Sequence, residues 1–146
     1  MKKVYYYGAI SGLVSGILMG MFLKVLEEKT GEKVYTLLLN IDFIYENPLP
    51  ELVEFSLHLL VAIGIGVLLQ IIVSMTDKSS FNSILIYSFL LTAPTIILFF
   101  PLTTIANKPT PEMSDVLALS LWTVGHIIFA FILGLLLHCL YKRNQP

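Results

Sequence analysis

The chain contains three histidines, and each falls inside a long apolar run. Imidazole is the side chain that changes charge nearest neutral pH, and its neutral form is also a metal ligand. Glu54 precedes His58 by four residues, which places both on one helix face. A carboxylate there could orient the ring, favour its protonation or pass protons to it. The plain alternative is an exposed first-turn acid that favours the helix dipole. His126 follows Trp122 by one turn, where packing is the default role for the indole. His138 lies close to Lys142 and Arg143, an interfacial position.

Two of these runs match each other. Aligning 58–70 with 126–138 sets His58 over His126, Ala62 over Ala130, Gly66 over Gly134 and Gln70 over His138. Upstream, Pro48-Leu-Pro50-Glu51 resembles Pro109-Thr-Pro111-Glu112, with about two extra helical turns before the second histidine. The expectation is a pair of two-helix halves related along the membrane normal. The remaining runs barely match, which argues against that duplication. Lipid disfavours polar side chains, so both histidine-bearing faces should turn inward and toward each other. That makes His58, His126, Glu54, Gln70 and His138 a candidate interior polar site.

Two facing neutral imidazoles at one depth could hold a divalent metal, a haem iron or a shared proton. They would be an incomplete zinc site, with Glu54 and Glu51 the nearest further ligands. The ordinary alternative is that each ring only hydrogen-bonds a neighbouring helix. No cofactor is predicted; haem or a divalent metal on His58 and His126 is the alternative. There is no Ser-His-Asp set, no His-Glu-x-x-His helix and no P-loop, so no catalytic residue is assigned and the chain reads as a non-enzyme. Cys139 is the single cysteine, which excludes an internal disulfide.

The elements that must position these residues are membrane helices. Of 146 residues, 56% are hydrophobic and 13% charged, far from a soluble domain's roughly 25% charge. The net charge of -1 gives no reason to expect a nucleic-acid partner. A helix needs about 20 apolar residues to cross a hydrocarbon core. Runs 4–26, 52–75, 81–102 and 116–141 qualify, predicting one all-α domain over 1–146, a four-helix transmembrane bundle. The first run is too long for a signal-peptide core and lacks a small-residue cleavage site, so it is expected to be retained.

Four crossings put both termini on one side. The cations divide almost evenly, but Asp77 stands alone on the terminal side and every other acid lies on the far side. The expectation is a plasma-membrane protein with both termini cytoplasmic, embedded in the lipid bilayer. In loop 27–51, Val34, Leu37, Leu38, Ile41, Ile44 and Tyr45 recur at helical spacing, predicting a short interfacial helix; 39–45 also partly alternates as a strand would.

Gly8, Gly12, Gly16 and Gly20 form a stripe for close helix packing, joined by Gly66 and Gly134 in the repeated runs. The stripe could serve a helix of this chain, a second copy or a membrane partner. Pro94 should kink the third run, with Thr92 and Thr95 helping to satisfy freed backbone groups.

Gly125-His126-Ile-Ile-Phe129, His58-Leu-Leu, the Pro109-x-Pro111 loop and Lys142-Arg143 together resemble the YagU-type small inner-membrane proteins. The Gly/Ser-rich start of the first run is similar too. The likeness implies a four-span inner-membrane protein associated with resistance to acid, with no established reaction. The first loop is shorter here and lacks a Pro-Pro-Arg-like element. The functional expectation is a polar, histidine-containing interior that handles protons or ions, or supports acid and envelope stress tolerance. The alternatives are a haem- or metal-binding subunit and an assembly protein that packs through its glycines.

Overall fold

Helix ends are set by local chemistry. Gly31 takes a positive φ of 81° and stops the first helix after Thr30. Asp77 takes the left-handed C-cap position of the second long helix. The Ser80 hydroxyl then accepts from the Ser83 N–H to start the next. Asp115 Oδ1 accepts from the Ala118 N–H at 2.9 Å, capping the last.

The computed structural model describes residues 2–143. Its elements are α1 (Lys2–Thr30), α2 (Val34–Leu38), α3 (Glu51–Thr76), α4 (Phe81–Ile97), α5 (Phe99–Thr104) and α6 (Val116–Arg143). No strand occurs among the described residues. Tyr5–Thr30, Glu51–Thr76, Phe81–Thr104 and Val116–Arg143 are each long and apolar enough to cross a membrane. They form an antiparallel four-helix bundle. Both chain ends lie at one end of it; α2, α5 and the loop before α6 lie at the other, here termed the α2 end.

Two expectations need correction. The first-loop helix is only five residues long, and its Val34 and Leu37 are buried in the bundle core instead of lying along a surface. Ile44 and Tyr45 fall outside it and are exposed, because the chain leaves helical geometry after Leu38. The third run qualifies as one span, Phe81–Thr104, but its break falls after Ile97 instead of at Pro94. Beyond Pro94 it continues for one turn, the Leu98 N–H bonds Pro94 O at 3.2 Å, and α5 starts at Phe99. The Thr92 and Thr95 hydroxyls donate to Ser88 O and Thr92 O, stitching the turn around the proline.

Packing centres on α1, which lies against both α3 and α6; α4 packs on α6, while the α3–α4 seam is loose. The glycine stripe of α1 explains the first contact. A Cβ on Gly8 would run into the backbone of Gly66, and one on Gly12 into the backbone of Ala62. A Cβ on Gly16 would meet Ala62, and one on Gly20 the ring of Phe55. Gly66 in turn leaves room for Gly8 and Gly12. In lipid there is no hydrophobic drive between helices, so such backbone-to-backbone fit supplies the association. Gly134 of α6 faces Leu85 and Ser88 of α4, and the Ser88 hydroxyl donates to Ala130 O at 2.7 Å.

The two repeated faces therefore do not pack on each other. The α3 face lies on α1, and the Ala130–Gly134 part of the α6 face lies on α4. The physical reason is that glycine permits the closest approach, and α1 offers four glycines in register.

These contacts predict opposite effects for two glycines on the same helix. Gly66→Leu should lower stability in detergent by about 1–3 kcal/mol or prevent folding, as overpacking does. Gly64 has nothing within 4 Å of an added Cβ. Gly64→Ala should be neutral or stabilising by up to about 1 kcal/mol. Thermal unfolding followed by circular dichroism checks both.

Candidate functional site

His58 is the eighth residue of α3 and His126 the eleventh of α6, both counted from the α2 end. Although α3 and α6 do not pack directly, both rings line one cavity of about 360 Å³. The cavity sits between α3, α6 and the α4–α5 junction, under the loop that follows α2. Apart from the imidazoles its walls are mostly apolar, including Met19, Ile65, Leu102 and Phe129.

Each ring is fixed by a backbone carbonyl. His58 Nε2 donates to Gly16 O at 3.3 Å, a carbonyl of α1. His126 Nδ1 donates to Trp122 O at 2.8 Å, one turn back on its own helix. A carbonyl only accepts, so the nitrogen facing it carries the proton. The other nitrogen of each neutral ring, Nδ1 of His58 and Nε2 of His126, is then a bare lone pair. Neither has a hydrogen-bond partner among the described residues. Trp122 stacks obliquely on His126, with centroids 4.3 Å apart, and its Nε1 donates to Ile96 O at 3.2 Å. Ile96 lies two residues beyond Pro94, next to the end of α4 at Ile97, so the helix break and the indole meet at the cavity wall.

The cavity opens sideways. Leu60, Val61 and Leu98 line it and are also 63%, 59% and 46% exposed on the bundle surface. They mark a mouth in the loose α3–α4 seam, facing where lipid would lie. Above it the α2-end loops are tied together. Asn40 Nδ2 donates to Leu102 O at 2.9 Å, and Asp42 Oδ2 accepts from the Asn107 and Lys108 N–H groups.

Glu54 does not contact His58 through a hydrogen bond. Its side chain is 8% exposed and is paired with Lys108 Nζ. An acid that deep in a helix start requires a cation, and Lys108 reaches it from the loop before α6. Glu54 also borders a second, polar cup of about 370 Å³, lined by Lys24, Glu27, Tyr35, Glu51 and Lys108. There Glu51 accepts from Lys24 Nζ at 2.6 Å and from the Tyr35 hydroxyl at 2.9 Å. Burial, aided by Glu51, pushes the Tyr35 phenol well above its ordinary value, so it stays a neutral donor. Glu54 thus stands between the polar cup and the apolar cavity.

The other expected site residues lie elsewhere. Gln70 is fully buried beside Gly8 near the opposite end, and neither polar atom of its amide has a partner. Ser11 is buried with its hydroxyl oxygen unpartnered as well. His138 stands edge-on to Phe81, with an orphaned Nδ1, and does not line the cavity. Among the described residues no group of three His, Cys, Asp or Glu side chains gathers to hold a metal ion. His58 and His126 would be the whole of a protein-supplied metal shell.

Sequence reasoning missed Asn40, Asp42 and Lys108, and it gave Thr95 a backbone role without placing it at the cavity. The signal was present for two of them, since Asn40 and Asp42 alternate with Leu39, Ile41 and Phe43 in an otherwise apolar stretch. Lys108 could have been found by asking which loop cation must neutralise an intramembrane Glu54.

The ion pair makes a sharp prediction. Lys108→Met leaves a buried carboxylate unpaired and should cost about 3 kcal/mol, read from chemical unfolding. Adding Glu54→Gln should recover most of the loss. Comparison with known protein families, characterised proteins and solved structures finds no match for this chain.

Proposed function

We propose that this chain is a non-enzymatic, multi-pass plasma-membrane protein that takes a membrane-soluble guest between His58 and His126, and that protonation of these rings expels it. The observation that carries the reading is that both imidazoles line one apolar cavity with a mouth at Leu60, Val61 and Leu98. Its volume of about 360 Å³ lies within the range of small-molecule pockets, roughly 300–1,000 Å³. A tail can extend through the mouth into lipid, so the guest need not fit entirely inside.

Proton coupling follows from dielectric reasoning. A charge on either ring in an apolar pocket is expensive without a counter-ion, and Glu54 is already held by Lys108. Protonation would draw water inward from the polar cup past Glu54, which borders both spaces. Both termini are placed in the cytoplasm in this reading, on the slight excess of Lys and Arg at the terminal side and the gathering of acids other than Asp77 at the α2 end. The mouth then faces the outer leaflet.

Trp122 is the only tryptophan and lines the cavity, so its fluorescence reports on a guest directly. Protein in nanodiscs is titrated with a brominated fatty alcohol, whose bromine quenches indole only near contact. Quenching should saturate at about pH 8 and weaken severalfold only well below the ordinary imidazole value, because the apolar pocket disfavours the charged ring. Val61→Phe should remove the saturable component without changing helix content. Quenching that rises without saturation and equally in both proteins overturns the reading. Saturation indifferent to pH removes the proton coupling alone.

A further inference from the structure

The donors and acceptors of the cavity wall are unequal. Five lining side chains carry N–H or O–H groups: Asn40, His58, Thr95, Trp122 and His126. The Thr95 hydroxyl is engaged by Thr92 O, the Trp122 indole by Ile96 O, and the two imidazole N–H groups by Gly16 O and Trp122 O. Asn40 gives one amide hydrogen to Leu102 O and accepts from the Asp42 N–H. Apart from its second amide hydrogen, no side-chain donor in the lining is free.

Acceptors, by contrast, are available. His58 Nδ1 and His126 Nε2 carry lone pairs without partners. Neither is walled off, unlike the orphaned atoms of Gln70 and His138. A neutral imidazole lone pair in an apolar space is a strong acceptor, and leaving it unmatched against a bound guest carries a desolvation penalty.

We infer that the cavity selects an uncharged amphiphile whose head carries a hydroxyl, donated to His58 Nδ1 or His126 Nε2. This deepens the guest-binding reading and rests on it. An anionic head is disfavoured because the carboxylate of Glu54 borders the cavity and the nearest cation, Lys108, is held by it. A cationic head finds only that one carboxylate, already paired. Ethers, esters and ketones bring acceptors to a wall of acceptors. A long-chain or isoprenoid alcohol, or the reduced form of a quinone, brings the missing donor. Its chain meets Leu57, Leu60, Val61, Ile65 and Leu98 on the way out to lipid.

The test is displacement of the brominated fatty alcohol from the full-length protein in nanodiscs, followed by recovery of Trp122 fluorescence. Hexadecanol should compete roughly tenfold better than hexadecyl methyl ether, which keeps the chain and the oxygen but lacks the donor. In His126→Phe or His58→Phe, whichever folds, that preference should shrink severalfold toward the ether's level. Equal competition by alcohol and ether in the unaltered protein overturns the hydroxyl inference while leaving guest binding intact. A preference unchanged in both variants also overturns it, since the donor would then be read elsewhere. Absence of saturable quenching by the brominated alcohol overturns the underlying guest-binding reading instead.

Discussion

The bundle depends on the contact between the backbones of α1 and α3. Glycine at four successive turns of α1, met by Ala62 and Gly66 on α3, lets the two helices approach more closely than any side-chain-lined pair could. The close seam of α3 is the one with α1, while its seam with α4 is loose. The fourth side of the bundle is held instead at its ends: by the short turn around Asp77–Ser80, and by Asn40 and Asp42 binding the chain at 102–108. Between those clasps the α3–α4 seam stays open, and the cavity is the space it leaves.

The polar groups of the bundle follow from the same geometry. The Gly16 carbonyl comes within reach of His58 because the missing side chain lets α1 seat closely on Ala62, one turn along α3. Trp122 fills the wall beside the α4 kink, and its ring fixes the environment of His126. At the α2 end the charges pair: Lys24 with Glu51, Lys33 with Glu27, and Lys108 with Glu54. Of these, Lys24–Glu51 is exposed on both sides and worth little, Glu27 is also held by the Thr36 N–H and hydroxyl, and Glu54 is buried enough for the loss of its partner to matter. Nothing in the structure explains the unpartnered amide of Gln70.

Much of this was legible in the sequence. Length and hydropathy of the runs located the four long helices, because twenty apolar residues in a row have few other uses. The stripe at Gly8, Gly12, Gly16 and Gly20 announced a close helix contact. What it could not reveal was the partner of each face. Periodicity says which residues share a side of a helix, but not which helix that side meets, and α3 met α1 instead of α6. The link between Glu54 and Lys108 was hidden for the same reason, since ion pairing across a long sequence separation leaves no local pattern. The short helix after α1 was overextended because a helical spacing of apolar residues persists past Leu38, where tertiary contacts of Asn40 and Asp42 prevail over it.

The central claim is that two neutral imidazoles offer complementary bare nitrogens to one apolar space. Nitrogen NMR of protein labelled at histidine, at about pH 8 in nanodiscs, reads this most directly. The account predicts opposite tautomers, with the proton on Nε2 of His58 and on Nδ1 of His126. It further predicts that hexadecanol moves a bare-nitrogen resonance of at least one ring while His138 is unaffected. The same tautomer on both rings, or resonances indifferent to the alcohol, would contradict it.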